Sequence, residues 1–257
     1  MNILITGGSG LIGSRLINYL LKNKKNCITA TYFKNKIQLN HSRLKKIRHS
    51  EKAEQIRSIV KGQDIIIHTT AIDKKLSEKK PKLAYKLNLD YTNKIFIEAS
   101  KQNVKKFIYF STSQVYGNDL KGIVKENHKT NCKKNVYAFS HLLAEKNIFF
   151  NKNKLKSKIT IYIIRLSNSF GVPKNFGPRI WNPIINEFSL QALNKGKIII
   201  EKPFLIKNFI PLISVEKLIS IFLKKNNSKD ILCNFGGASY SLFQIAKIVK
   251  KKNHYYF

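Results

Sequence analysis

Acidic residues are scarce in this chain. Its 257 residues hold 14 Asp and Glu against 48 Lys and Arg, a formal net charge of +34. Arginine is scarce too. Only Arg15, Arg43, Arg48, Arg57, Arg165 and Arg179 occur, so nearly all the positive charge is lysine. Nucleic-acid grooves favour arginine and aromatics gathered on one face. Lysine spread over nearly every segment instead implies nonspecific attraction to polyanions and electrostatic steering of anionic substrates. Lysine, isoleucine and asparagine share AT-rich codons, which accounts for the composition without a nucleic-acid partner. Cysteine is limited to Cys27, Cys132 and Cys233. They have no metal-ligand spacing, so no metal site is expected. Their odd number reads as free thiols in a reducing cytoplasm. No apolar run approaches the ~18 residues of a membrane span, and the start leads straight into a strand rather than a signal peptide.

What is present begins at the sixth residue. Ile3-Leu4-Ile5 precedes Thr6-Gly7-Gly8-Ser9-Gly10-Leu11-Ile12-Gly13, and an apolar-periodic segment follows. That order predicts strand, glycine turn and helix. Glycine lets the backbone approach a pyrophosphate, and the helix aims its unpaired N–H groups at the phosphates. The spacing reads as Gly8-x-Gly10-x-x-Gly13 or as Gly7-x-x-Gly10-x-x-Gly13, both dinucleotide-binding patterns.

Strand and helix patterns then alternate. Strands are expected at 3–6, 27–32, 64–68, 106–111 and 159–165, and helices at 11–23, 51–60, 81–102 and 137–150. The stretch up to His49 reads as basic and irregular. Short isoleucine-rich runs suit strands buried on both faces. The alternation predicts an α/β fold with a doubly wound parallel sheet. Ligands of such sheets lie beyond the carboxyl ends of the strands. After Arg165 the pattern loosens. Helices are expected at 180–194, 215–224 and 241–252, and strands at 197–201 and 231–235. The division is a dinucleotide-binding domain over 1–168 and a reduced substrate-binding portion over 169–257, interleaved with it.

Further motifs stand after those strands: Asp64-Ile-Ile-Ile-His68-Thr-Thr-Ala71, Pro81-Lys-Leu-Ala84-Tyr-Lys-Leu-Asn88, Ser111-Thr112-Ser113-Gln114-Val115-Tyr116-Gly117 and Arg165-Leu-Ser-Asn168-Ser-Phe-Gly171. With the glycine turn, they resemble the extended short-chain dehydrogenase/reductase superfamily. Within it, the likeness is to the NAD-dependent epimerase/dehydratase proteins acting on nucleotide sugars. The resemblance covers nearly the whole chain. It implies a Rossmann domain, a nicotinamide dinucleotide, a nucleotide-sugar substrate and a possible homodimer.

The resemblance also implies site residues. Thr112 and Tyr137 match the catalytic Ser/Thr and Tyr. Tyrosine would move a proton at a sugar hydroxyl while a hydride is exchanged. The family's lysine, four residues after the tyrosine, is here His141, a shorter group that is mostly neutral at neutral pH. Lys133 and Lys134 stand just before this helix. The implied cofactor contacts are Gly7, Gly10, Leu11, Ile12 and Gly13, then Thr31 and Lys34, then Thr70, Ala71, Asn88 and Ser111, with Tyr137 and His141. Asn168, Arg179 and Lys207 are the implied substrate contacts. Lys207-Asn208-Phe209-Ile210-Pro211 resembles an Arg-Asp segment, with lysine lacking arginine's planar fork. His68 and Trp181 read as packing residues.

The acid expected about 20 residues past the glycines for a ribose 2′-hydroxyl is missing. Lys34, Lys36 or Arg15 could face a 2′-phosphate, so the expectation leans to NADP over NAD. Ser113-Gln114 follow Thr112 where dehydratases of this family often carry acids, which favours epimerisation or ketone reduction. The chain also stops short of the family's usual C-terminus. The lysine-to-histidine change and this shorter end leave an alternative: a catalytically impaired dinucleotide-binding protein, a sensor or complex subunit.

Overall fold

The computed structural model describes residues 1–117, 122–177, 181–226 and 229–253. Seven strands form one parallel sheet. They are β1 (Asn2–Thr6), β2 (Cys27–Tyr32), β3 (Leu44–Arg48), β4 (Ile65–His68), β5 (Lys106–Thr112), β6 (Thr160–Leu166) and β9 (Ile231–Phe235). Their order is β3-β2-β1-β4-β5-β6-β9, and each neighbouring pair runs parallel. The order reverses between β1 and β4. In doubly wound folds that crevice receives the ligand.

Strand alternation divides the core in two. Ile3, Ile5, Ile28, Ile65, Ile67, Ile108 and Ile164 face α1 (Leu11–Leu20) and α8 (Leu212–Lys224). Leu4, Ile66, Phe107, Tyr109, Ile161 and Ile163 point the other way. They pack with α2 (Ala53–Val60), α5 (Thr92–Lys101) and α6 (Val136–Lys154). Successive side chains thus serve opposite layers. Ahead of α5 come α3 (Lys74–Lys79), α4 (Pro81–Ala84) and a π-helical segment at Tyr85–Tyr91. The expected helix at 81–102 is therefore continuous but wider in its middle.

The basic stretch before His49 contains β3, which the sequence reading treated as irregular. It is an edge strand with Lys45, Lys46 and Arg48 exposed. Lysines on an outermost strand blunt pairing with another chain, and they also erase the apolar pattern.

The later residues build a second sheet, β10-β8-β7, from β7 (Asn168–Phe170), β8 (Ile206–Pro211) and β10 (Ala238–Ser241). It packs with α7 (Ile184–Lys195) and α9 (Leu242–Asn253). The strand expected at 197–201 does not form. Ile199 is exposed, and its N–H donates to the Gln191 side chain rather than to a neighbouring strand. The chain interleaves: α8 returns to cover the main sheet beside α1, and β9 extends it beside β6.

Candidate active site

The glycine turn sits at the carboxyl end of β1. Gly7 has φ +73°, and a Cβ there would stand 2.9 Å from the Thr70 nitrogen. At Gly13 a Cβ would meet the Gly7 carbonyl oxygen at 2.3 Å. Only glycine allows this approach of helix and turn. Gly10 is exposed, and its N–H donates to the Gly7 carbonyl. It stands at the N-terminus of α1, where no described side chain caps the helix and no acid lies in the first turn. The N–H groups around Leu11 and Ile12 are the ones such a helix leaves for an anion. The turn fits a pyrophosphate.

Neighbouring positions divide into supports and open groups. Thr31 is buried, and its hydroxyl accepts from the Gly7 N–H, so it braces the turn from behind. Asn88 is buried in the π-helical segment. Its side-chain Oδ1 accepts from the Ile72 N–H, and its side-chain amide donates to the Ser140 hydroxyl. Thr70 offers a buried hydroxyl with no hydrogen-bond partner among the described residues. Ala71 and Lys34 are exposed. Arg15 does not face a phosphate. Its Nε and Nη2 lie 2.7 and 2.6 Å from Glu216, and Nη1 donates to the Val172 carbonyl. This ion pair ties α1 to α8, leaving exposed Lys34 and Lys36 as the described cations after β2 among those named.

At the carboxyl end of β5, Thr112 opens a 3₁₀ turn and accepts from the Gln114 N–H. Its hydroxyl also acts on the Tyr137 phenol, which enters from the first turn of α6. Asn135 caps that helix, accepting from the Ala138 N–H at 3.1 Å. The cap fixes where the helix begins and so where Tyr137 points. Burial raises the Tyr137 pKa to about 12; the Thr112 hydrogen bond opposes this, and the charge of Asp73 adds to it. The phenol is thus protonated at neutral pH.

His141 lies one turn on, 2% exposed, with its ring edge-on to Tyr137 at 4.7 Å between centroids. Its Nδ1 is 2.7 Å from the Tyr109 hydroxyl, and Nε2 has no partner among the described residues. Burial lowers its pKa to about 4. The pH-dependent cation that a histidine could have supplied here is therefore absent across the neutral range. Lys133 and Lys134 are exposed.

Another turn on, Glu145 accepts from the Ser111 hydroxyl and from Arg165, whose Nη2 is 2.7 Å away. Arg165 also donates to the Tyr116 hydroxyl and the Glu126 carbonyl. Ser111 is thus engaged with a carboxylate. Sequence reading missed Glu145, Tyr109 and Asp73. Glu145 was findable, since Tyr137, His141 and Glu145 recur every four residues on one helical face. Tyr109 gave no such signal, because one more aromatic in a buried strand looks like core.

Two of the three expected substrate positions are among the described residues. Asn168 donates its amide to the Asn208 carbonyl across the second sheet. Lys207 is half-buried on β8; burial lowers its pKa, and so does Lys74. Arg179 lies outside the described residues. His68 is a packing residue with both ring nitrogens occupied, by Thr6 at 2.8 Å and Thr92 at 2.9 Å. An open groove of about 700 Å³, lined by Cys27, Arg43, Lys61 and Gln63 among others, lies at the opposite edge of the sheet, away from these groups.

The profile of the NAD dependent epimerase/dehydratase family matches residues 3–203. The chain belongs to that family. ADP-L-glycero-D-manno-heptose-6-epimerase of Brachyspira hyodysenteriae is 27% identical over 97% of the chain and 80% of its own length. UDP-glucuronic acid decarboxylase 6 of Arabidopsis thaliana is also 27% identical, over 79% of the chain, which spans 60% of that protein. Among solved structures, UDP-glucuronic acid 4-epimerase of Bacillus cereus, with UDP-glucuronic acid and NAD, superposes with a TM-score of 0.84. The identity is 21%, and coverage is 99% of this chain and 83% of that one. The likeness establishes the Rossmann-like fold. No described helix is long and apolar enough to cross a membrane.

Proposed function

We propose that the chain is a nicotinamide-dinucleotide enzyme acting on a nucleotide sugar, by epimerisation or ketone reduction. The observation that carries this reading is the pairing of Thr112 with the half-buried Tyr137 at the same carboxyl end of the sheet as the uncapped N-terminus of α1. Tyr137 would move a proton at a sugar oxygen that the Thr112 hydroxyl holds. Its raised pKa makes it a proton donor first, as ketone reduction requires. Gly7, Gly10, Leu11, Ile12 and Gly13 would hold the pyrophosphate, with Thr70 closing over it. The dinucleotide itself supplies the hydride acceptor and donor.

NADP over NAD is the finer proposal. Its support is the absence of an acid between Tyr32 and Glu51 and the exposed Lys34 and Lys36. Against it stands the NAD held by the Bacillus cereus relative. Titration with both cofactors at moderate salt decides, since low salt would inflate affinity for the extra phosphate. A homodimer and a reducing, cytoplasmic setting complete the proposal; the cysteines are free. The first is tested by solution mass, the second by locating the protein in its cell.

The function is tested by binding and turnover together. A Gly10→Val protein that stays folded and binds NAD(P) as wild type does would refute the turn's role. Turnover across a panel of UDP, ADP and dTDP sugars is the second readout. Cofactor binding with no turnover on the panel would instead favour a binding protein.

A further inference from the structure

Tyr109 is 1% exposed on β5, and His141 is 2% exposed on α6. Their Oη–Nδ1 separation of 2.7 Å is a full hydrogen bond. A neutral imidazole carries one N–H and one bare nitrogen, so the bond can run two ways. Among the described residues, Tyr109 has no second hydrogen bond and Nε2 has none, so either direction leaves one donor and one acceptor unpaired. Strength therefore decides: a phenol O–H is a more acidic donor than a neutral imidazole N–H, and a bare imidazole nitrogen is a stronger acceptor than a phenol oxygen. The phenol donates to Nδ1, and the imidazole proton sits on Nε2. Neighbouring His68 cannot relieve either case, because Thr6 and Thr92 already occupy its nitrogens.

We infer that Tyr109 is a positioning residue: its hydroxyl locks His141 as the Nε2–H tautomer, leaving an uncharged donor for a hydroxyl oxygen of the bound ligand. That oxygen belongs to the ribose of the cofactor or to the sugar of the substrate. The ligand half of the inference rests on the proposed function; the tautomer half rests on the geometry alone. Burial supports the neutral form, holding the His141 pKa at about 4 and the Tyr109 pKa well above its ordinary value. Nε2–H has no partner among the described residues, so the donor is left for a group that comes with the ligand. A lysine would present charge without needing such a lock; an imidazole needs its tautomer set by what its other nitrogen touches.

Nitrogen NMR of protein labelled at histidine, without ligand, reads this directly. Wild type should show His141 as the Nε2–H form, unchanged between about pH 6 and pH 8. Folded Tyr109→Phe should show a mixture of tautomers. An Nδ1–H form or an imidazolium in wild type overturns the lock, as does an unchanged tautomer in Tyr109→Phe. The wild-type spectrum decides even if that variant does not fold. NAD(P) alone, then UDP-glucose alone, should identify the oxygen by which of them shifts the Nε2–H signal. Calorimetric binding of both with no shift from either overturns the ligand half. Absence of any nucleotide binding defeats the functional reading and the ligand half together, while the ligand-free tautomer still decides the role of Tyr109. Tyr109→Phe should weaken binding of whichever ligand shifts that signal, roughly three- to tenfold against wild type. It should have no further effect in His141→Gln, whose amide donor has no tautomer to set.

Discussion

His141 and Glu145 are four residues apart on one face of α6, and each is 2% exposed. Their burial is the same and their chemistry is opposite. Beside His141 stand two phenols, and desolvation keeps the ring neutral. Beside Glu145 stands Arg165, with bonds to both carboxylate oxygens and a hydroxyl donor from Ser111. Burial works against the Arg165 charge, but the hydrogen bonds and charge of Glu145 outweigh it and raise the arginine pKa. Depth alone does not decide whether a group is charged; a partner of opposite sign does. Along one helical face the fold thus separates an uncharged end from an ionic anchor that ties α6 to β6.

The largest effect comes from breaking the anchor. Glu145→Ala leaves the Arg165 guanidinium buried without its carboxylate and should destabilise the fold by ~3–5 kcal/mol. Urea unfolding reads this directly. His141→Leu, at the same depth, should cost less, about 1–3 kcal/mol, because only the Tyr109 hydroxyl is stranded. Equal losses at both positions would break the comparison.

These two residues also show what the sequence made legible. The glycine turn, Tyr137, Thr112 and the five central strands rest on local patterns: a spacing, a cap or an alternation. The ends of β2 and β9 agree to the residue. Side-chain commitments were not legible. Arg15 reads as a phosphate partner until Glu216, on a helix some 200 positions away, takes it. The one hydrogen bond that His141 makes among the described residues is to Tyr109, an aromatic in a run of buried aromatics. In residues 169–257 short strands such as β7 and β10 exist because β8 pairs with them, and their own composition carries little sign of it.

At the uncharged end, Tyr137→Phe should leave folding and cofactor binding intact and lower turnover ~10²–10⁴-fold if Tyr137 is the proposed proton carrier. A variant keeping most of its turnover would remove Tyr137 from the chemistry. His141→Lys sharpens the contrast by placing an ammonium where the fold has kept charge out. Its charge should bring the Tyr137 pKa down from about 12, raising the oxidation rate about tenfold for each unit of depression that reaches the transition state. The gain should hold across the neutral range, where His141 is already neutral, and it should come with lower stability, since Glu145 is already engaged by Arg165. Loss of turnover in this variant would instead give the imidazole a role of its own.

The smallest effect, taken ring by ring, is a pH dependence carried by the buried histidines. His68 and His141 have folded pKa values lowered to about 3 and about 4, in both cases chiefly by burial. Unfolded, each titrates near 6.5. Between these limits the unfolded chain binds more protons than the native one, so stability rises with pH across the window. The full contribution is present above about pH 6.5 and is lost progressively as pH falls toward the folded values. At one unit below 6.5 each ring costs about 1.4 kcal/mol. His49, lowered by burial against the opposing charge of Glu51, adds a further loss of the same sign. Urea midpoints at pH 7.5 and 5.5 should therefore differ in wild type, and His141→Gln should remove one ring's share of the difference. An undiminished difference in that variant would mean that His141 takes up its proton in the native state as readily as in the unfolded chain. The neutral half of the comparison would then be wrong.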